Sequence, residues 1–238
     1  KGYTDFFAKP LNRTVFLRTL KLGVLVAGTA AVIGYAAAFC IVNLSASARG
    51  RVFGLVVLPL MISPVARTYA WIVILGRTGI VNDTIVGLGL SETPIRLLFT
   101  ETAVFLGLLQ LFMPLMIISL VSAMENIPKD VIPAARVLGA NWFQVFFKVV
   151  LPLIKPGLAA AAIFTFRIAW NEYLLASALS DRDTKTVPIL IVNNMSEFNV
   201  EWGVIMATGM LLAIPPIIFT LLASRQIITG MTAGAVKG

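Results

Sequence analysis

Five stretches of this 238-residue chain are each long and apolar enough to cross the hydrocarbon of a bilayer: roughly 19–44, 52–75, 102–123, 157–179 and 203–223. A helix needs about 20 mainly apolar residues for that crossing. Lipid offers no partner to an open backbone N–H or C=O, so such stretches must fold as helices. The rest of the composition agrees. Hydrophobic residues make up 58% of the chain and charged residues 13%, where a soluble domain carries about a quarter charged. Mean hydropathy is +0.92. The expected fold is an all-α polytopic membrane helix bundle, a single transmembrane domain over 1–238.

Several function classes fall away early. The chain has no His, so no imidazole can relay protons or bind metal. Cys40 is the only Cys, which excludes an intrachain disulfide or a thiolate cluster; it reads as a small apolar packing residue. No G-x-x-x-x-G-K-[ST] phosphate-binding loop occurs. The net charge of +8 is read as basic loops beside a membrane, not as a nucleic-acid surface.

Basic residues also set an orientation. With the loop after the third stretch placed in the cytoplasm, that side holds Arg49, Arg51, Lys129, Arg136, Lys148, Lys155, Arg225 and Lys237. The two opposite inter-span loops hold only Arg77, Arg96, Arg182 and Lys185. Cytoplasmic loops carry the excess of Lys and Arg. The opening segment, with Lys1, Lys9, Arg13, Arg18 and Lys21, runs against this choice, and a sixth span before Lys1 is expected to resolve it. The outer loops 76–101 and 180–202 carry turn chemistry and acidic residues, among them Glu197 and Glu201. They read either as partner-facing surfaces or as plain solvated connections.

The cytoplasmic loop, 124–157, is the most patterned segment. Asp130 is placed to cap free N–H groups, and Pro133 falls in a first helical turn, where a missing N–H costs little. Ala134, Ala135, Val137, Leu138 and Ala140 favour a short helix. Gly139 weakens it by about 1 kcal/mol relative to Ala, which calls for a sharp bend or a close backbone contact. Leu151-Pro152 and Pro156-Gly157 are expected to end a second piece and turn the chain back into the membrane. A plain amphipathic hairpin on the membrane surface is the bland alternative.

The run Pro133-Ala134-Ala135-Arg136-Val137-Leu138-Gly139-Ala140, with Leu151-Pro152 beyond it, resembles the EAA loop of the permease subunits of bacterial ABC importers. Pro133 stands where that family usually has Glu, so a salt bridge from that Glu is not expected here. The resemblance implies a type I importer permease fold, with about five spans in this chain and six in the full protein. It implies that a loop helix docks on an ATP-binding subunit through Asp130, Ala134, Ala135, Arg136, Gly139, Ala140 and Pro152.

Two branches of that family are visible. Phe166-Arg167-Ile168-Ala169-Trp170-Asn171-Glu172-Tyr173, Thr186-Val187-Pro188, Trp202-Gly203 and the tail from Gly230 to Gly238 are similar to carbohydrate-type permeases, the maltose and glycerol-phosphate branch. That likeness implies a tail contact with the ATPase dimer through Gly234 and Lys237. Arg67-Thr68-Tyr69-Ala70-Trp71 and Gly76-Arg77-Thr78-Gly79-Ile80-Val81-Asn82 resemble the polyamine-type branch instead.

Ionisable groups inside a span are functional candidates by default. Arg67, Arg167 and Glu172 qualify, with Trp71, Trp170, Asn171 and Tyr173 beside them. Arg167 and Glu172 either pair with each other or line a solute path. Trp71 and Trp170 either line that path or anchor their helices at the membrane interface.

Taken together, the resemblance implies a multi-pass permease of the bacterial inner membrane that imports a small hydrophilic solute by alternating access. A sugar is favoured, and a polyamine or other small cation is the alternative. Its implied partners are a second permease (the same chain or a different one), two ATP-binding subunits, an extracytoplasmic solute-binding protein and membrane lipid, with no nucleic acid. The chain itself is expected to carry no cofactor and no metal, with ATP and Mg in the partner subunits, and to be no enzyme. An ion-coupled secondary transporter is the competing class, but it wants a mid-membrane ion site or an inverted repeat, and the sequence has neither. A membrane-embedded enzyme would need clustered catalytic groups, which the spans lack. The charge count predicts that an impermeant amine reagent labels Lys185 in intact cells and labels Lys129 and Lys148 only in inverted vesicles; labelling of Lys148 in intact cells would reverse the orientation.

Overall fold

The computed structural model describes residues 8–195 and 202–235, with side chains described to residue 221. Among these residues the chain is helical and has no strand. Four helices are long and apolar enough to span: α1 (Pro10–Val42), α5 (Glu101–Glu125), the run Trp142–Asn171, and α11 (Trp202–Ala235), of which Trp202–Leu221 is the spanning part. They bury one set of apolar side chains and expose another. Val32 is 73% exposed and Met206 63%, as expected of helices that face lipid.

The stretch expected as a straight span over 52–75 is broken. α2 (Ala46–Val57) runs into a 3-10 turn (Leu58–Met61), and α3 (Pro64–Leu75) and α4 (Ile80–Gly87) follow after a 95° bend. Two prolines cause the break. Pro59 cannot donate within a helix, and a residue before proline is pushed out of the α region; Ser63 accordingly sits at φ −51°, ψ 135°. The expected span over 157–179 divides differently as well. The helix persists from Trp142 to Asn171, stops at Glu172, and a short α9 (Leu174–Leu179) and α10 (Val187–Met195) follow. The first helix begins nine residues earlier than expected, at Pro10, which occupies its first turn.

The anticipated turn at Leu151-Pro152 and Pro156-Gly157 does not exist. α7 (Trp142–Gln144) continues through a π-helical segment, Val145–Val150, directly into α8 (Leu151–Asn171), with Pro156 inside it. An unbroken α-helix would drive the Pro152 ring against the Lys148 carbonyl. The widened π turn just before Pro152 accommodates that clash.

Two apolar cores stack along the bundle. One joins α1, α5 and the π segment around Tyr35, Phe39, Met116, Leu120 and Phe146. The other joins α1, α5, α8 and α9 around Leu22, Val104, Leu108, Leu175 and Leu179. α9 lies against α5 because Gly107 has no side chain: a Cβ there would come within 2.6 Å of Leu175 and 2.8 Å of Leu179. Both leucines are fully buried and have little room to move. Gly107→Val should therefore lower the stability of the detergent-purified protein by about 1–3 kcal/mol through overpacking; an unchanged thermal melt would show that α9 does not pack there.

Candidate functional site

Ion pairs mark the two ends of the bundle. At one end Glu101 accepts from Arg18 at 2.7 Å and Lys21 at 2.8 Å, Arg18 also reaches the Lys185 carbonyl, and Arg96 pairs with Asp181. The Asp183 backbone N–H, with Arg96 alongside, holds the Asp181 carboxyl below its usual range. Asn82 clamps the adjoining loop by bonding Gly76 O, Ile95 O and Ile95 N, so the 76–101 connection is structured. At the opposite end Arg49 pairs with Glu125, beside the patterned loop.

In that loop α6 (Val131–Val137) carries Pro133 in its first turn. Asp130 is its N-terminal flanking residue but makes no side-chain cap, because its own backbone is near-helical at φ −84°, ψ −15°, not extended as capping requires. The far end is closed by a double bond pattern: Gly139 N donates to Arg136 O at 2.9 Å and Ala140 N to Ala135 O at 3.0 Å. This is a Schellman closure, which needs a left-handed residue at the first position past the cap. Gly139 supplies it at φ +87°. A Cβ at Gly139 would meet nothing within 4 Å, so the glycine serves the bend, and no close contact inside this chain explains it.

The spacing of the motif follows from that geometry. Ala135 and Ala140 face inward, packed on the core with Ile132. Ala134, Arg136 and Gly139 face solvent with Asp130 and Pro152. Large apolar groups stand exposed beside them: Val137 and Leu138 at 87% each, with Phe143 at 67%. Sequence reading missed the next device, although its signal was present. Asn141 and Gln144 form a capping box, each side chain bonding the other's backbone N–H at 2.9 Å, which an Asn-x-x-Gln pattern announces. Beyond it Trp142 stacks on Phe146 and meets Phe39 edge-on. The Tyr35 hydroxyl donates to the Phe146 carbonyl at 2.6 Å. The loop is thus bolted to α1.

The proposed solute-path residues separate into two groups. Arg67 is buried and donates to the carbonyls of Pro59 and Ile62, at 3.2 Å for the latter, closing the broken helix. Trp170 is fully buried, gives its indole N–H to Leu212 O at 2.7 Å, and packs on Phe16 and Phe166; it neither lines a path nor anchors at an interface. Glu172 does not pair with Arg167. Its carboxylate accepts from Leu175 N and Ala176 N, both at 2.9 Å, and starts α9.

The remaining candidates face open space. Trp71 donates to Gln110 at 3.3 Å and lines an apolar cleft of about 430 Å³ between α3 and α5. Arg167 and Asn171 line a larger one of about 670 Å³ with α11, and Tyr173 is 40% exposed at the edge of the break. Gly234 belongs to the helical run of α11, past the described side chains, and Lys237 lies outside the described residues, as do Glu197 and Glu201.

The bend at Gly139 gives a graded expectation. Gly139→Asn, which tolerates left-handed geometry, should keep the loop closed, and Gly139→Val should open it, since a β-branched residue at positive φ is strained. Amide hydrogen exchange at Gly139 and Ala140 reports this; equal protection in both variants would rule the closure out.

Comparison with known proteins agrees with this architecture. The family described as "Binding-protein-dependent transport system inner membrane component" matches residues 30–231. The chain is 33% identical to the spermidine/putrescine transport permease PotB of Haemophilus influenzae over 96% of this chain and 80% of that protein. It is 31% identical to the trehalose transport permease SugB of Mycobacterium tuberculosis over 100% of this chain and 81% of that one. In fold it is similar to a bacterial ABC transporter that imports the acidic polysaccharide alginate, with a TM-score of 0.82 at 17% identity over 100% of this chain and 84% of that chain. The methionine transporter MetNI aligns at a TM-score of 0.62 and 18% identity over 91% of this chain and 96% of that one. This chain belongs to the binding-protein-dependent transport system inner membrane components, the multi-pass permease subunits of ABC importers.

Proposed function

We propose that this permease pairs with a second permease and passes the work of two ATP-binding subunits to its helices through the loop 130–147. The carrying observation is the exposure of Val137 and Leu138, 87% each, on a loop that is otherwise rigidly closed. An apolar pair held in the open at the polar end of a bundle marks a protein interface. Such a lever must not bend, and the Schellman closure, the capping box and the Tyr35–Phe146 bond resist bending. Movement of the loop would tilt α8, with which it is continuous, and α8 packs on α1, α5 and α11. The chain's own spans then alternate a solute path between the two faces of the membrane. ATP and Mg belong to the partner subunits, and a solute-binding protein delivers cargo at the Glu101–Asp181 end.

The cargo we favour is a sugar or sugar-like solute. A polyamine is the second reading, supported by the 33% identity to a spermidine/putrescine permease.

The test is reconstitution with and without the ATP-binding subunits. The chain alone should hydrolyse no ATP, and the complex should. Leu138→Asp should cut ATP-driven uptake at least about tenfold, the cost of burying an unpaired carboxylate at an interface, while leaving membrane insertion intact. Full uptake by the Leu138→Asp complex would remove the loop from the interface.

A further inference from the structure

The cleft between α8 and α11 carries a charge that nothing in the described chain neutralises. Its wall includes Arg167, Asn171, Leu212, Pro216 and Thr220. Arg167 is exposed and makes no ion pair among the described residues; its guanidinium lies 5.8 Å from the Phe164 ring. The three described acidic residues on the spans or at their ends are committed elsewhere. Glu172 caps α9, Glu101 holds Arg18 and Lys21, and Glu125 holds Arg49.

Depth makes this informative. Leu212, Pro216 and Thr220 lie ten to eighteen residues past Trp202 on α11, so the cleft sits roughly 15–27 Å along that helix at 1.5 Å per residue. With Trp202 at one face of a hydrocarbon about 30 Å thick, that stretch runs from its middle to near the other face, and Arg167 itself lies inside the spanning run Trp142–Asn171, four residues before its end. A charge inside a spanning helix faces water or a partner group, not lipid. The volume, about 670 Å³, suits a small solute.

We infer that Arg167 gives this cleft a cationic wall that takes a solute presenting oxygen acceptors, neutral hydroxylated or anionic, and repels a polyamine. Guanidinium offers five donors and no acceptor, which matches hydroxyl, carboxylate or phosphate oxygens and no ammonium group. Asn171 and the oxygen of Thr220 add polar contacts beside it. Thr220 spends its proton on the Pro216 carbonyl, so its oxygen is left to accept. The inference rests on the permease reading above and narrows it: of the two cargo classes, it selects the sugar-like one.

A test that works whatever the cargo is uses thiol reagents of opposite charge. In the assembled complex, with Cys40→Ser as background, Thr220→Cys provides a thiol in the cleft. Its rates with sulfonatoethyl and trimethylammonioethyl methanethiosulfonate are measured from both membrane faces. The sulfonate-to-ammonium rate ratio should fall about tenfold when Arg167→Gln is added, as expected for one unit charge a few ångströms away at intermediate dielectric. It should hold with Arg167→Lys. An unchanged ratio overturns the inference. So does a complex that resists both reagents while the isolated permease reacts, because then a partner subunit covers the cleft. Binding-protein-stimulated ATP hydrolysis is measured in the same preparations: its absence in the parent complex counts against the importer assembly proposed above, whereas the reagent ratio reports on Arg167 alone. Binding-protein-dependent uptake of spermidine would also overturn the inference, and uptake of a sugar or sugar acid that drops in Arg167→Gln supports it.

Discussion

Every backbone polar group that enters the hydrocarbon must find its partner inside the protein, and the irregular parts of this bundle are organised by that requirement. Among the described residues, three departures from a regular helix lie within or beside the spans. At each one a side chain bonds backbone groups of the irregular stretch, in the π segment as a second donor to a carbonyl that already accepts from Leu151 N–H. Arg67 takes the Pro59 and Ile62 carbonyls at the 95° bend. Glu172 takes the first N–H groups of α9. Tyr35 bonds the Phe146 carbonyl in the π segment. Two of these three are charged residues that a span would otherwise reject.

This changes how intramembrane charge is read. Arg67, Arg167 and Glu172 look equivalent in the sequence: costly, isolated and therefore suspect. Backbone breaks absorb Arg67 and Glu172, which leaves Arg167 as the charge that still needs a counterpart. The same sorting applies to the two tryptophans. Trp170 is a fully buried packing residue bonded to Leu212, and Trp71 borders an open cleft.

The loop at the other end obeys a related logic in water. A lever made of one short helix is floppy unless both ends are closed, since isolated short helices are unstable. Gly139 closes α6, Asn141 opens the next helix two residues later, and the aromatic cluster fixes both to α1. The outcome is a rigid corner whose exposed face is apolar.

Much of this was legible in the sequence. The presence of several membrane-length apolar stretches, the end-to-end charge asymmetry and the Ala-Ala-x-x-x-Gly corner follow from local chemistry: hydrocarbon thickness, helix propensity and the left-handed turn that glycine permits. The Asn141–Gln144 box, an Asn-x-x-Gln pattern, was legible too. Tertiary structure alone decided the rest. A proline can end a helix, as near Pro59 and Pro64, or ride inside one, as at Pro156, depending on whether neighbours can absorb the lost bond. The same holds for charge. Whether an arginine caps a carbonyl or lines a cleft depends on what stands within about 3 Å of its nitrogens, the reach of a hydrogen bond. Hydropathy counts residues along one chain, and that distance is set by the helices packed around it.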